Sequence, residues 1–443
     1  MFGFSMVQFT RNYGSKMDKN LRKNLVNLYR PFKWTPCFLH KTLEKVIKKT
    51  RKFKVIIEYT DQNEVKDNVK AVMKRHYGCS IDYEFKTIPS CSATVTAAGL
   101  EELLQTCINV KRVYLNSEVK ALLNVATPAG RADQVVRNGI ELTGEGVTVA
   151  VIDTGIYPHQ DLEGRIIGFE DLVSGQVEPY DDNGHGTHCA GDAVGNGMAS
   201  GGKYKAPAHK ANVVGVKVLN KLGSGSLDTV MKGVEWCILN NQDPSKPKID
   251  IISMSLGATA QRLNNEDADP MVQVVEKAWD SGIVVCVAAG NEGDEPNTIA
   301  SPGISDKVIT VGALDDKNTL DERADDTIAE FSSRGPTIYN VPKPDIVAPG
   351  VNIVSLRSPN SYLDKFQKAS RVDEHYITLS GTSMATPFCA GVVALMIENK
   401  KKQNKSFTPD DIKKELLKGA DKWKGIDYNT YGAGYINAQN SIK

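Results

Sequence analysis

Apolar positions fall into short runs along the chain, and the spacing of those runs changes character near position 147. From about Phe53, strand-like runs at Lys54–Tyr59, Ile81–Thr87, Cys91–Thr96 and Lys111–Leu115 are separated by helix-patterned stretches at Asn63–His76 and Ala98–Cys107. The order is β-α-β-β-α-β, which predicts a compact α+β unit. Upstream, Leu21–Lys52 is basic and partly helical, interrupted by Pro31 and Pro36. Leu122–Gly146 is rich in small and polar residues and reads as a linker or surface arm. From Val147, apolar runs at Val147–Ile152, Val213–Val218, Ile249–Met254, Ile283–Ala288 and Val308–Val311 alternate with helical stretches such as Ser226–Asn240 and Met271–Asp280. That alternation predicts an α/β fold, a parallel sheet with helices on both faces. Such sheets bind ligands at the carboxyl ends of their strands.

Composition leaves this picture standing and removes several alternatives. With 41% hydrophobic and 24% charged residues, the 443-residue chain matches neither a fibre nor a coiled coil nor a disordered polymer, and its length favours two domains. No apolar run approaches the ~20 residues of a membrane helix. The start, MFGFSMVQF, has its basic residues after the apolar run and no A-x-A cleavage site, so no export signal is expected. Eight cysteines show neither CxxC nor paired zinc-ligand spacing. They read as free thiols of a cytoplasmic protein, with disulfides as the alternative.

Charge adds an asymmetry. Residues 1–120 hold 22 of the 54 basic and 11 of the 53 acidic side chains, which leaves 32 and 42 for residues 121–443. The N-terminal part is thus +11 and the remainder −10. A basic segment commonly implies nucleic acid or a membrane surface, but no aromatic RNA-binding motif accompanies this one. Docking of the two oppositely charged parts within the chain is the favoured reading.

Four residues carry candidate chemistry. Asp153 follows the strand VTVAVI and opens the turn Asp153-Thr154-Gly155, at the carboxyl end of a strand; a turn-capping role would look the same. The pair of such loops that an aspartic protease needs is absent, since Asp280-Ser281-Gly282 follows a helical run. His185 lies in Asn183-Gly184-His185-Gly186-Thr187-His188-Cys189, where small residues let a helix approach the sheet. Its imidazole suits a general base at neutral pH, while His188 reads as a hydrogen-bonded core residue. A zinc site is disfavoured because the HxxH lacks the glutamate of HExxH. Ser383, in Ser380-Gly381-Thr382-Ser383-Met384-Ala385-Thr386-Pro387, stands at a helix N-terminus, where unpaired N–H groups favour a developing oxyanion; an N-cap serine is the alternative. Pro387 is expected in the first helical turn. Asn291 ends Val285-Cys286-Val287-Ala288-Ala289-Gly290-Asn291 and can donate its amide to a tetrahedral intermediate.

Taken together, VAVIDTG, HGTHCAG, SMSLG, AAGN and GTSMATP, in the order Asp, His, Ser and followed by YGAGYIN, resemble the subtilase family. The likeness is greatest to the AprX-type intracellular subtilases and extends to Pro31–His40. It implies a subtilisin-like serine endopeptidase of broad specificity, with catalytic Asp153, His185 and Ser383 and Asn291 in the oxyanion hole. By the same resemblance, Ser255, Leu256, Gly257 and Gly223 flank a protein or peptide substrate as strands, Ala288 and Gly290 are further substrate-binding residues, and Ala300 stands at the floor of the P1 pocket. Ala300 leaves room for an apolar P1 side chain, while Glu292, Asp294 and Glu295 would favour a basic one. No cofactor is required; a structural calcium is the open question, with Asp161 as candidate ligand and an atypical companion loop at 195–205. Cys189 places a thiol beside His185 and predicts sensitivity to mercurials. Leu356–Ile377 is longer than in the simplest members, and either shapes the leaving-group side of the cleft or is a surface insertion.

The resulting domain expectation is a basic extension at 1–52, a ferredoxin-like propeptide-type domain at 53–116, a linker and arm at 117–146, and the catalytic domain at 147–443. The propeptide-type domain is expected to inhibit and chaperone the enzyme, its tail entering the cleft and being cut between Asn116 and Thr127.

Overall fold

The structure, a computed structural model, describes residues 5–28, 40–60, 62–116, 118–121, 130–264, 268–317, 326–423 and 427–442. The chain forms two compact units, Met1–Ser117 and Glu118–Lys443.

In the first unit an antiparallel sheet runs in the order Ser80–Glu84, Ser90–Thr96, Lys52–Tyr59, Val110–Leu115, with helices Gln62–Arg75 and Ala97–Thr106 as connections. Thr96 caps the second helix by accepting from the Gly99 N–H at 3.1 Å. The upstream stretch is part of this fold: Phe9, Met17, Leu21 and Leu25 share one core with Val55, Ile57 and Leu100. Asp18 fixes that attachment, its carboxylate accepting from the N–H groups of Leu21 and Leu115. Residues 29–39, which carry most of the Pro31–His40 resemblance, lie outside the described residues.

The second unit opens with strand β1 (Glu118–Ala121) and continues through β2 (Thr148–Asp153), β3 (Ile166–Asp171), α1 (His185–Val194), β4 (Asn212–Lys217), β5 (Ser224–Ser226), α2 (Leu227–Gln242), β6 (Ile251–Met254), β7 (Leu256–Gly257), α3 (Pro270–Asp280), β8 (Val284–Ala288), β9 (Ile309–Asp315), β10 (Thr327–Ile328), β11 (Ile346–Pro349) and α4 (Thr382–Lys402). Its eight-stranded sheet runs β10-β9-β8-β6-β2-β4-β3, with β11 beside β9, and every pairing is parallel except β9 with β10. The central strands are buried on both sides, as β2 and β8 are along their whole length, which is why their sequences read as continuous apolar runs.

Close approach of helices on opposite faces is written into two glycines. A Cβ on Gly233 of α2 would meet Ile152, Val216 and Val218, while one on Gly186 of α1 would meet the Cβ of Asp153. Ile152 and Asp153 are successive residues of β2 and point to opposite faces, so α1 and α2 cover opposite sides. Helix α4 packs on α1 and α2 on α3. Strand β1, inside the stretch expected to be a linker, lies between β5 and β7 and is antiparallel to both.

Candidate active site

Asp153 ends β2 in full burial, opposite Lys217 of β4. One carboxylate oxygen accepts from the Thr154 N–H at 2.7 Å and lies 2.7 Å from His185 Nδ1. Gly155 follows at φ 117°, and a Cβ there would come within 2.2 Å of the Tyr180 carbonyl oxygen, so the turn requires glycine. Lys217, itself buried, spans the turn by donating to the Thr154 and Leu219 carbonyls and to Asp182 at 2.5, 2.9 and 2.8 Å.

His185 is the first residue of α1 and is fully enclosed. Burial favours its neutral form, but the neighbouring Asp153 carboxylate outweighs this and holds the imidazole well above the ordinary histidine range. Cys189, one turn on, places Sγ 3.8 and 3.9 Å from the two ring nitrogens and 3.5 Å from the Ser383 carbonyl oxygen. Burial pushes its thiol up to about 12, so it stays protonated and is no thiolate nucleophile. His188 is buried and paired with Asp192 at 3.0 Å.

Ser383 is the second residue of α4, buried, its hydroxyl donating to the Ser255 carbonyl at 3.2 Å. Pro387, expected in the first helical turn, is the sixth residue of α4 instead. Lacking an N–H, it leaves the Ser383 carbonyl without its helical donor. The Ser255 hydroxyl at 2.6 Å and the Cys189 thiol supply donors in its place. The proline therefore turns a helical carbonyl into a tie between Ser383, Ser255 and Cys189.

Asn291 follows Gly290, whose φ of 115° and close approach to Ser333 exclude a side chain. The Asn291 Oδ1 accepts from both the N–H and the hydroxyl of Thr382 at 3.0 Å each, which fixes the amide with Nδ2 as the outward donor. Ser383 and Asn291 are thus neighbours through Thr382. Ala300, nearly buried, donates its N–H to the Ala289 carbonyl and packs toward Gly290; Ala288 is the buried end of β8. Leu256 and Gly257, directly after Ser255, pair with β1, and Gly223 forms the φ 74° turn into β5 on its other side. Glu292, Asp294 and Glu295 are exposed to solvent.

Asp161 does not offer a cation site. Its oxygens accept from the Ala199 N–H at 2.8 Å and the Tyr376 hydroxyl at 2.6 Å, and its backbone carbonyl from Arg165 and the Asn196 N–H. Calcium needs six to eight oxygen ligands aimed inward, whereas here the 196–199 loop and Tyr376 present donors. The residues do not fit a calcium ion, because Tyr376, at the end of the 357–376 segment, fills the position with a hydroxyl.

Sequence reasoning did not single out Lys217, Thr382, Tyr376 or Asp181. The last stands four residues before His185 in Asp181-Asp182-Asn183-Gly184, an acidic turn whose adjacency to the histidine motif was the available signal. The described cysteines, at 79, 91, 107, 189, 237, 286 and 389, are all unbridged. Among the described residues no helix is long and apolar enough to cross a membrane.

A buried Asp–His pair at strand and helix ends beside a helix-start serine, on a parallel α/β sheet, defines a class. The subtilase family model matches residues 144–434, and the chain belongs to that family as a subtilisin-like serine endopeptidase. It is of the AprX type, being 57% identical over its whole length to 99% of serine protease AprX of Bacillus subtilis. It is also 34% identical to a thermostable alkaline protease of Halalkalibacterium halodurans, over 83% of this chain and 86% of that protein. An intracellular serine protease of Paenibacillus polymyxa is 38% identical over 62% of this chain and 72% of its own.

Proposed function

We propose that the chain hydrolyses peptide bonds of broad sequence through an acyl-enzyme on Ser383. The observation that carries the reading is the 2.7 Å contact between Asp153 and His185, both enclosed, with Ser383 joined to His185 through Cys189. Ser383 Oγ turns from the Ser255 carbonyl toward His185 Nε2 and attacks the scissile carbonyl carbon. His185 takes the hydroxyl proton and returns it to the leaving amine, while Asp153 holds the tautomer and stabilises the imidazolium. Asn291 Nδ2 and the Ser383 N–H stabilise the oxyanion. Water then releases the acyl group by the reverse proton path. No resident metal enters any step.

Substrate pairs as a strand between β5 and β7, a backbone-led mode that reads little sequence. The position of β1 supports this, because a segment of the chain itself already pairs there. Ala288, Gly290 and Ala300 line the P1 pocket. The solvent exposure of Glu292, Asp294 and Glu295 weakens their pull on a basic P1 residue and supports an apolar preference. Mercurial sensitivity is expected from Cys189 and should vanish in Cys189→Ala.

The first unit acts as the inhibitory, propeptide-type domain, consistent with the ferredoxin-like order of its sheet and with its opposite charge. Partners are protein or peptide substrates and this domain, with neither nucleic acid nor membrane involved, and the location is cytoplasmic. Ser383→Ala is expected to abolish hydrolysis of denatured casein while keeping the wild-type circular-dichroism spectrum. Retained hydrolysis would refute the reading.

A further inference from the structure

The Asp153 turn and the first turn of α1 come from different parts of the chain, and their hydrogen bond holds only if both are fixed. We propose that Asp181 is the positioning residue that fixes them, a proposal that rests on Asp153 and His185 being the catalytic pair. Asp181 is 5% exposed, and its carboxylate gathers five donors. Oδ1 accepts from the Thr154 hydroxyl at 2.9 Å and from the N–H groups of Asn183 and Gly184 at 3.1 and 2.8 Å. Oδ2 accepts from the N–H and hydroxyl of Thr187 at 2.9 and 2.7 Å.

Thr154 directly follows Asp153, while Gly184 and Thr187 bracket His185. The Thr154 hydroxyl in turn accepts from the Gly186 N–H at 2.8 Å. One carboxylate and one hydroxyl therefore staple the two segments on both sides of the Asp153–His185 contact. The carboxylate thus meets the N–H groups of Gly184 and Thr187 at the buried start of α1, where negative charge is favoured.

An outer layer comes from the 357–376 segment. The Ser358 hydroxyl donates to the Asp181 carbonyl at 2.8 Å, and the N–H groups of Tyr362 and Leu363 donate to the Asp182 and Asn183 carbonyls at 2.9 Å each. Arg357 and Arg371 both pair with Asp364 and hold the segment in shape. The segment buttresses the turn that aims His185.

The test uses the full chain. Active sites are counted by fluorophosphonate titration, and kcat and KM per titrated site are measured across pH. Asp181→Asn is expected to lower kcat by about tenfold or more, since small misplacements at a reacting centre are costly. KM should stay within about twofold, and the acidic limb of kcat/KM should move to lower pH as the imidazolium loses its partner. Thr154→Val changes none of the charges around His185, namely Asp153, Asp181, Asp182, Lys217 and the His188–Asp192 pair, and leaves the Cys189 thiol in place. It should move both readouts the same way, and Thr154→Ser, which keeps the hydroxyl, should recover most of the loss. The proposal is overturned if Asp181→Asn and Thr154→Val keep wild-type kcat per titrated site and an unmoved limb, with only the titratable fraction reduced. If Asp181→Asn yields no folded protein, the two Thr154 variants decide. Failure of the underlying catalytic reading would show separately, as hydrolysis surviving in Ser383→Ala.

Discussion

At the scale of single residues, His185 is enclosed on every side and 2.7 Å from a carboxylate, and the two facts act oppositely on its proton. The carboxylate prevails, so this imidazole, the proposed base, is protonated to a higher pH than an ordinary histidine. Because only the neutral imidazole accepts the Ser383 proton, activity should rise with pH through a limb lying above about 6.5, the unperturbed histidine value. Asp153→Asn should lower kcat by about 10⁴-fold, the loss seen when the corresponding carboxylate is removed from another serine protease. Measured kcat/KM from pH 5 to 9 checks the limb, and a flat profile there would count against His185 as the base. Pro387 shows a second residue-scale economy: the carbonyl it deprives of a helical donor is the one that Ser255 and Cys189 hold.

At the scale of elements, Tyr376 ends the segment that leaves the sheet at Leu356 and returns to strand pairing there. Burial, and then the Asp161 carboxylate, push its hydroxyl well above the usual phenol range, so it donates at any working pH. Tyr376→Phe leaves a buried carboxylate oxygen without its donor, at a cost of about 1–3 kcal/mol, read as a lower thermal midpoint. EDTA should leave the wild-type midpoint unchanged. A midpoint lowered by EDTA and restored by calcium in wild type, but insensitive to both in Asp161→Asn, would contradict this. The same segment illustrates what a sequence can show. The strands β2, β4, β6 and β8 and the motif residues at their ends were legible because burial on both faces writes continuous apolar runs and glycines mark tight turns. The work of Asp181, Tyr376 and Lys217 was not legible, because each is a polar residue whose role depends on partners brought near only by the fold. Likewise, Phe9, Leu21 and Leu25 are scattered among basic residues and reveal a core only when Val55 and Leu100 pack against them.

At the scale of the whole molecule, the proposed inhibitory role of the N-terminal part draws on the charge contrast between residues 1–120 and 121–443 and on the pairing of β1 between β5 and β7. Ala121 pairs with Leu256 and Lys120 with Gly257, and the Ser383 hydroxyl donates to the carbonyl of Ser255, the residue before Leu256. The proposed cut lies between Asn116 and Thr127, which N-terminal sequencing of active enzyme would show; active enzyme retaining Met1 would contradict it. Both the proposed inhibition and the proposed hydrolysis depend on Ser383 as the nucleophile. Labelling the active enzyme with a fluorophosphonate and mapping the adduct by peptide mass spectrometry tests that role most directly. One adduct is expected, on Ser383, absent in Ser383→Ala and formed far more slowly in His185→Ala; an adduct on another residue, or undiminished labelling of Ser383→Ala, would contradict Ser383 as the nucleophile.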